Sequence, residues 1–350
     1  MSAKTAVITG VSGQDGSYLA DFLLEKGTTV VGVLRRSSTI DRENVRHLKG
    51  TVIFEYADLL DGYSLEHVLQ KHQPDEVYNL AAQSVPADSW SQPIATGEIT
   101  ALGAVRVFEA VRKFAPTARV YQGSSREIFG GVQQNVMNED TPFLANNAYG
   151  IAKLYAHLMM RTYRESYGMF ACGGILFNHE SPRRSLHFVS RKVTMAAACI
   201  KLGAEPPLDE SGQPLVRDGK VRLGNLDAQR DWGYAKEYVE AMWMMLQQNA
   251  PRDYVIATNT LCGVRDLCRI AFEHVGLHWE DHVVSDETFK RPTEITASRG
   301  DYSRAKRDLG WAPRTSFEDL VKLMVDADLA WLARPAVAVP AGVRREAWRP

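Results

Sequence analysis

The sequence has few cysteines, no long apolar run and almost no net charge. Its four cysteines form no C-x-x-C pair, which argues against a zinc site or a disulfide framework and indicates reduced thiols. No apolar run approaches the length that spans a bilayer. A formal net charge of -1 gives the chain no general attraction to nucleic acid or membranes. Its first residues run into a strand-like segment instead of a secretion signal, so we expect a cytoplasmic protein. Because the cysteine spacing argues against a zinc site, we also expect no bound metal.

What the sequence has is an alternation of short apolar segments with segments of helical period. The 350 residues are 45% hydrophobic, as in ordinary globular proteins. Strands are predicted over 6–9, 29–34, 52–55, 76–79, 119–122 and 171–176, and helices over 17–26, 105–114 and 149–167. This alternation predicts an α/β fold, a Rossmann-type doubly wound parallel sheet with helices on both faces.

The second half of the chain is less regular. Helices are predicted over 188–202, 236–248, 264–275 and 317–331, and the polar segment 203–219 predicts a surface loop or hairpin. We therefore expect a nucleotide-binding sheet domain over 1–178 and a smaller C-terminal α/β substrate-binding lobe over 179–334. Strands of this second segment could return to the sheet domain. The segment 335–350, rich in Ala, Val, Pro and Arg, predicts a flexible tail.

A glycine motif follows the first predicted strand and opens the first predicted helix. A G-x-x-G-x-x-G loop allows a tight turn and close backbone approach, and the helix N-terminus favours a pyrophosphate. Three glycines alone could mark only a tight turn, but the strand–loop–helix context favours a dinucleotide site. The residues expected to bind the cofactor here are Gly10, Gly13, Gln14, Asp15 and Gly16.

The ends of the next strands indicate which cofactor binds. An NAD enzyme would place Asp or Glu after the second strand, whereas this chain has Arg35, Arg36 and Ser37, which suit the 2′-phosphate of NADP. The alternative is a solvated basic loop. Asp58, after the third strand, could accept a hydrogen bond from adenine. The remaining expected contacts, after the third and fourth strands, are Leu59, Leu80, Ala81 and Ala82.

Tyr149 and Lys153 form a Y-x-x-x-K pair at the start of a predicted helix. A lysine one turn after a tyrosine lies on the same helix face, and its charge favours the phenolate of a group whose reference pKa is about 10. Ser125 follows the fifth strand, where the active-site crevice of such a sheet forms. A surface Tyr–Lys pair is the alternative. The three groups together predict oxidation of an alcohol by hydride transfer, and the nearby Glu127 suggests a further step.

Long motifs resemble those of the GDP-mannose 4,6-dehydratase family within the extended short-chain dehydrogenase/reductase superfamily. The resemblance covers about residues 5–329 and includes TGVSGQDGSYL at 9–19, LRRSS at 34–38, YNLAAQS at 78–84, YRESYG at 163–168, GILFNHESPR at 174–183, LGNLD at 223–227, RDWG at 230–233 and RPTE at 291–294. It implies NADP as cofactor, a GDP-sugar substrate and a homodimer or homotetramer. Implied further cofactor contacts are His179 and Arg184, and implied substrate contacts are Ser84, Ser125, Glu127, Asn178, Arg191, Lys192, Gly224, Arg230, Arg291 and Glu294.

The resemblance implies a redox-neutral dehydration. Tyr149 would deprotonate the 4-hydroxyl while hydride leaves C4, Ser125 would bind that oxygen, and Lys153 would bind the nicotinamide ribose. Glu127 would then remove the C5 proton and assist loss of the 6-hydroxyl, before hydride returns to C6 to give GDP-4-keto-6-deoxy-mannose.

Arg126 departs from this pattern, because the family usually has a small hydroxyl residue there. Arg126 could lower the pKa of Glu127, contact an altered substrate or point into solvent. The alternatives are therefore a GDP-sugar epimerase, a reductase, or a dehydratase of another GDP-hexose or heptose. A catalytically idle nucleotide-binding protein is a further alternative, although binding alone needs no tyrosine base.

Overall fold

The computed structural model describes residues 3–36, 43–132, 136–209, 212–289, 297 and 299–334. The chain divides into two compact units. The first consists of residues up to His179, Asp231–Thr260 and Ser298–Arg314, and the second of Glu180–Arg230, Leu261–Ala297 and the residues from Thr315.

Strands are numbered in chain order through both units. They are β1 Thr5–Thr9, β2 Thr29–Leu34, β3 Ile53–Tyr56, β4 Glu76–Asn79, β5 Arg119–Gly123, β6 Ala171–Leu176, β7 Asn178–Glu180, β8 Val216–Arg217, β9 Lys220–Leu223, β10 Gln229–Arg230, β11 Trp232–Tyr234, β12 Tyr254–Ile256, β13 Cys262–Gly263 and β14 Val283–Ser285.

The helices are α1 Gln14–Glu25, α2 Gly62–His72, α3 Pro93–Thr96, α4 Gly103–Phe114, α5 Ala148–Tyr167, α6 Val189–Leu202, α7 Ala235–Leu246, α8 Val264–His274, α9 Trp279–His282, α10 Ser303–Leu309 and α11 Phe317–Leu332. A π-helical turn, Gly97–Leu102, leads into α4. No helix among the described residues has the length and hydropathy required to cross a membrane.

The first unit is built on a seven-stranded parallel sheet in the order β12-β6-β5-β4-β1-β2-β3. The sheet is buried on both faces. Neighbouring residues of β1 point to opposite faces, and each face packs against a hydrophobic core. Ile8 lies in the core with Leu23 of α1 and Met242 of α7, whereas Val7 lies in the core with Phe108 of α4. The predicted Rossmann-type doubly wound sheet is confirmed.

The edge strand β12 of this seven-stranded sheet was not predicted from the sequence. It has only three residues, all buried, and pairs with β6 at the sheet edge. Its chain segment lies in the second half of the sequence, so a strand returns to the sheet after the excursion into the second unit. The helix α2 was also missed, although its N-cap Asp61 accepts a hydrogen bond from the Ser64 amide.

The second unit contains α6, α8 and α11, together with a small sheet in the order β14-β9-β8. The segment 203–219, predicted as a surface loop or hairpin, contains β8, which forms a hairpin with β9. The two turn residues are Asp218 (φ 52°) and Gly219 (φ 70°). Two successive positive φ values in an Asp-Gly pair are typical of a tight hairpin turn. The expected tail, 335–350, lies outside the described residues.

Candidate active site

The glycine loop brings two strand ends into close backbone contact. Gly10 has φ 72°, and a Cβ on it would lie 2.9 Å from the Ala81 amide nitrogen. A Cβ on Gly16 would lie 2.3 Å from the Gly10 carbonyl oxygen. Gly13 caps α1, and Thr9 Oγ1 accepts hydrogen bonds from the amides of Leu80 and Ala81 at 3.2 Å each. The loop therefore has the close approach and helix N-terminus that a dinucleotide pyrophosphate needs.

Two of the predicted cofactor residues bind each other in the described structure. Asp15 Oδ2 lies 2.8 Å from His179 Nε2, and His179 Nδ1 lies 2.7 Å from the Phe177 carbonyl oxygen. Gln14 Nε2 also donates to the His179 carbonyl oxygen at 3.1 Å. These contacts connect the start of α1 to the chain after β6.

Among the described residues no group of three or more His, Cys, Asp or Glu side chains could hold a metal ion.

The end of β2 presents two exposed arginines. Arg35 and Arg36 are both exposed, and the Arg36 guanidinium carbon lies 5.7 Å from the centre of the Tyr56 ring. Ser37 lies outside the described residues. Asp58 Oδ1 accepts from the Leu60 amide at 3.0 Å, and the buried Leu59 side chain would touch a Cβ on Gly103.

The predicted catalytic carboxylate lies in a 3-10 turn, Arg126–Phe129, directly after β5. Ser125 caps this turn, and its Oγ accepts from the Glu127 amide at 3.3 Å. Arg126 Nη2 lies 2.6 Å from Glu127 Oε1, with only 6% and 8% of the two side chains exposed. The interpretation that Arg126 points into solvent is therefore wrong.

A residue that sequence reasoning missed joins this turn to α5. Asn147 Nδ2 donates to Glu127 Oε2 at 2.9 Å, and Asn147 Oδ1 accepts from the Gly150 amide at 2.8 Å. Asn147 is the N-cap of α5, and an Asn at a predicted helix start is a signal that could have identified it. A Cβ on Gly150 would lie 2.6 Å from the Glu127 carbonyl oxygen, so a glycine allows this close approach.

Tyr149 and Lys153 are both buried on the face of α5 that packs inward. Lys153 Nζ donates to the Gly123 carbonyl oxygen at 2.8 Å and lies 5.8 Å from the centre of the Tyr149 ring. Burial lowers the pKa of Lys153 to about 8, and the nearby Asp15 opposes this shift. The ammonium is therefore held between the end of β5 and the tyrosine.

A second serine at the end of β5 has a hydroxyl without a partner among the described residues. Ser124 is 5% exposed and its Oγ is buried, while its amide donates to the Gly174 carbonyl oxygen at 2.9 Å. An unsatisfied buried hydroxyl is costly unless a ligand or water completes it. Ser124, like the glycine cradle, therefore fits a bound ligand at this edge of the sheet.

Among the predicted substrate residues of the first unit, Ser84 is exposed and Asn178 begins β7. In the second unit, Gly224 follows β9, and its carbonyl oxygen accepts from Ser285 Oγ at 3.1 Å. Arg184, expected at the cofactor, lies 3.0 Å from the buried Glu180 carboxylate. Arg291 and Glu294 lie outside the described residues.

The basic residues of α6 are held by neighbours in the second unit. Arg191 Nη2 lies 2.6 Å from Oδ1 of the fully buried Asp328, to which Thr194 also donates at 2.8 Å. Burial raises the pKa of Asp328 to about 6. Lys192 Nζ lies 4.9 Å from the Phe289 ring centre, and the buried Arg230 donates to the Gln229 carbonyl oxygen at 2.7 Å. Sequence reasoning missed Asp328, although an acidic residue on the apolar face of α11 is an unusual feature.

Comparison with known proteins places these motifs in a family. The family model described as GDP-mannose 4,6 dehydratase matches residues 7–324. The chain is 45% identical to GDP-mannose 4,6 dehydratase 1 of Arabidopsis thaliana, over 97% of this chain and 93% of that protein. It is 42% identical to GDP-mannose 4,6-dehydratase of Vibrio cholerae serotype O1, over 94% of both chains.

Solved structures show the same fold at lower identity. UDP-glucose 4-epimerase of Thermus thermophilus, in complex with NAD, has a TM-score of 0.78 and 24% identity, over 93% of this chain and 98% of that one. The family model and the two relatives confirm the resemblance that the sequence motifs indicate. The chain belongs to the GDP-mannose 4,6-dehydratase family.

Proposed function

We propose that this chain dehydrates GDP-mannose to GDP-4-keto-6-deoxy-mannose with NADP as a bound catalyst. The observation that carries the proposal is the buried arrangement at the end of β5. There a Tyr–Lys pair on α5 and the carboxylate of Glu127 are joined through Asn147. A simple alcohol dehydrogenase needs the tyrosine and lysine but no such carboxylate. Family membership supports the same reaction.

Each catalytic side chain has a distinct task in this reaction. Tyr149 removes the proton of the sugar 4-hydroxyl, and the Lys153 ammonium beside its ring favours the phenolate. Lys153 uses one of its three N–H donors on Gly123, which leaves donors for a ribose hydroxyl. Ser125 binds the 4-oxygen. Bound NADP would supply reversible hydride transfer at the sugar, so no reductant would be consumed.

The elimination is the task of Glu127. The 4-ketone acidifies the C5 hydrogen, and the carboxylate removes it. The same group then gives that proton to the departing 6-hydroxyl, which leaves as water.

The cofactor residues lie in the first unit. The glycine loop, with Gly10, Gly13 and Gly16, would hold the pyrophosphate, and the Gln14–Asp15–His179 contacts would set its position. The guanidinium groups of Arg35 and Arg36 are exposed at the end of β2. They support NADP as the cofactor, because guanidinium groups suit its 2′-phosphate. A nicotinamide dinucleotide also accords with the NAD complex of the Thermus epimerase. Further contacts would come from Ser37, Asp58, Leu59, Leu80, Ala81 and Ala82. For Arg184 the resemblance of the sequence is the only support.

The second unit would bind the GDP-sugar. Arg191 is the favoured pyrophosphate ligand, because Asp328 holds its guanidinium in one orientation. Lys192 and Arg230 are proposed beside it. Sequence alone supports the remaining substrate residues: Ser84, Asn178, Gly224, Arg291 and Glu294.

We further propose a homodimer or homotetramer in the cytoplasm. Ile151, Tyr155 and Leu158 recur along the outer face of α5 and are exposed by 56%, 41% and 44%. An exposed apolar stripe of this kind is typical of an interface, and a second copy of this chain is the occupant we propose. All four cysteines are free, as expected in a reducing compartment.

The proposal is tested by incubating the purified protein with GDP-mannose and no added reductant. Mass spectrometry should show loss of one water from the sugar nucleotide, and a Tyr149→Phe variant should show none. A product of unchanged mass but altered sugar would indicate an epimerase instead. Unchanged GDP-mannose after long incubation would contradict the proposal.

A further inference from the structure

Arg126 is buried beside the proposed base. Its guanidinium lies 2.6 Å from Glu127 Oε1, and both side chains are more than nine-tenths covered. An isolated charge in such a position would be very costly, whereas a close opposite charge offsets that cost. The two side chains therefore stabilise each other in their charged forms.

The second oxygen of Glu127 also faces a donor. Asn147 Oδ1 accepts from the Gly150 amide, so the NH2 group of Asn147 is the one directed at Glu127 Oε2, 2.9 Å away. A protonated carboxyl group in this place would direct its own O–H at a group that offers only N–H donors. The Arg126 and Asn147 contacts with the two carboxyl oxygens thus both favour the ionised form.

We propose that Arg126 is a positioning residue that, together with Asn147, keeps Glu127 ionised in the resting enzyme and so extends the elimination step to lower pH. This inference rests on the proposed role of Glu127 in that step. Arg126 does not itself transfer a proton, because a guanidinium is not deprotonated in proteins.

The proton balance shows why a permanent charge is compatible with dehydration. The C5 proton passes to Glu127, the C5–H electron pair becomes the second bond of C5=C6, and the C6–O bond breaks. The departing hydroxyl takes the proton from Glu127 and leaves as water, so Glu127 returns to its ionised form. The charge of Arg126 makes Glu127 a weaker base for C5 but a stronger acid for the hydroxyl. One carboxyl group can therefore serve both halves of the elimination.

Other titratable groups lie near this turn, but the Arg126 variants keep all of them, so their titration is common to the wild type and the variants. On α5, the buried face carries Tyr149, Lys153 with a pKa of about 8, and His157, whose pKa is lowered by burial to about 4. Lys153 is therefore protonated, and His157 neutral, through most of the acidic range. Two pairs lie on neighbouring segments of the first unit: Asp15 with His179, and Glu139 with Arg304.

The test compares the pH profiles of kcat for water loss from GDP-mannose. Arg126→Met and Arg126→Ser should move the acid limb upward by about one to two pH units, while Arg126→Lys should stay near the wild type. The matched control is Arg112→Met, which breaks an Arg–Glu pair at the surface of α4 and should leave the limb unchanged. An acid limb that is the same in the wild type, Arg126→Met and Arg126→Ser would overturn the proposal.

A measurement without turnover separates this inference from the proposed function. The carboxylate band of Glu127 is titrated by infrared difference spectroscopy, with the Glu127→Gln variant as reference for the wild type. The wild-type band should persist down to about pH 4 or below, near the ordinary value for glutamate, despite burial. Loss of the band near pH 6 would refute the proposal even if the Arg126 variants fail to fold. If GDP-mannose is not turned over but the band persists, the proposed function fails, and only the part of the inference that concerns the ionised state of Glu127 stands.

Discussion

Asn147 joins Glu127 to α5, the helix that carries Tyr149. Its Nδ2 lies 2.9 Å from Glu127 Oε2 and its Oδ1 accepts the Gly150 amide at 2.8 Å. The residue that starts α5 therefore also orients the carboxylate. Any movement of the first turn of α5 would be transmitted to both Tyr149 and Glu127.

The two roles of Asn147 can be separated by substitution. Asn147→Asp keeps an N-cap oxygen but directs a carboxylate at Glu127, so kcat at neutral pH should fall about 10- to 100-fold while the melting temperature changes little. Asn147→Ala also loses the cap, which should lower the free energy of unfolding by about 1 kcal/mol. Steady-state kinetics and thermal unfolding measure the two effects. Equal activity of Asn147→Asp and wild type would refute the assignment.

Gly150 should not tolerate a side chain. In Gly150→Ala the new Cβ would lie 2.6 Å from the Glu127 carbonyl oxygen, so we expect a loss of about 1–3 kcal/mol in unfolding free energy and a fall in kcat. The matched control is Gly62→Ala at the start of α2, where no atom lies within 4 Å of the new Cβ. This control should be neutral or more stable by up to about 1 kcal/mol. Chemical denaturation of both variants checks the difference, and equal effects would contradict the close approach.

The buried ammonium of Lys153 should lower the free energy of unfolding of the protein. Burial lowers its pKa from 10.5 to about 8. The folded state therefore binds the proton of Lys153 less tightly than the unfolded state does. The cost is complete below pH 8 and is relieved as pH rises from about 8 to about 10.5, because there the unfolded state binds more protons. Without cofactor, Lys153→Met should therefore be more stable than wild type at pH 7 by about 1–3 kcal/mol and nearly inactive. Denaturant titrations at pH 7 and pH 10 should show this advantage shrinking, and an advantage that grows with pH would show the sign to be wrong.

Much of this site could be predicted from sequence, because its motifs are local. The glycine loop, the Tyr149–Lys153 spacing and the strand ends each occupy a few consecutive residues, and the parallel sheet order brings such ends to one edge. The contacts of Asp231 could not be predicted in this way. It accepts from the amides of Thr258, Asn259 and Gly300, which are distant in sequence, so the RDWG motif also has a structural role.

The contact between Arg126 and Glu127 could not be predicted from the sequence either, although the two residues are adjacent. Adjacent residues in a strand point to opposite faces, but here the chain enters a 3-10 turn after Ser125, which lets both side chains meet. The sequence left three interpretations of Arg126 open, and the turn geometry excludes the one in which Arg126 points into solvent. Likewise β12 could not be recognised, since three apolar residues carry no usable period.

The cofactor preference should depend on Arg35 and Arg36. Replacing both with alanine removes the guanidinium groups proposed for the 2′-phosphate, so NADP affinity should fall about 10- to 100-fold for each arginine that binds this phosphate, while NAD affinity changes little. Calorimetric titration with both cofactors measures this, with the surface variant Arg161→Ala as control. Equal affinity of the wild type for NADP and NAD would argue for a solvated basic loop instead.

The exposed stripe on α5 should be an interface between two copies. Ile151→Glu and Tyr155→Glu would place a charge in an apolar contact, so the mass measured by light scattering should fall toward that of one chain. Tyr63→Glu on α2, where the tyrosine is 80% exposed, should leave the mass unchanged. A wild-type protein that is monomeric at all concentrations would contradict the assignment.

The proposed mechanism requires hydride to move from C4 to C6 of the sugar within one turnover, while Glu127 removes water. It is tested most directly with GDP-mannose deuterated at C4, incubated with the purified protein and no added reductant. We expect a product that has lost one water and carries the deuterium at C6, as read by mass spectrometry and NMR. A product that retains its water, or a dehydrated product without deuterium at C6, would contradict it.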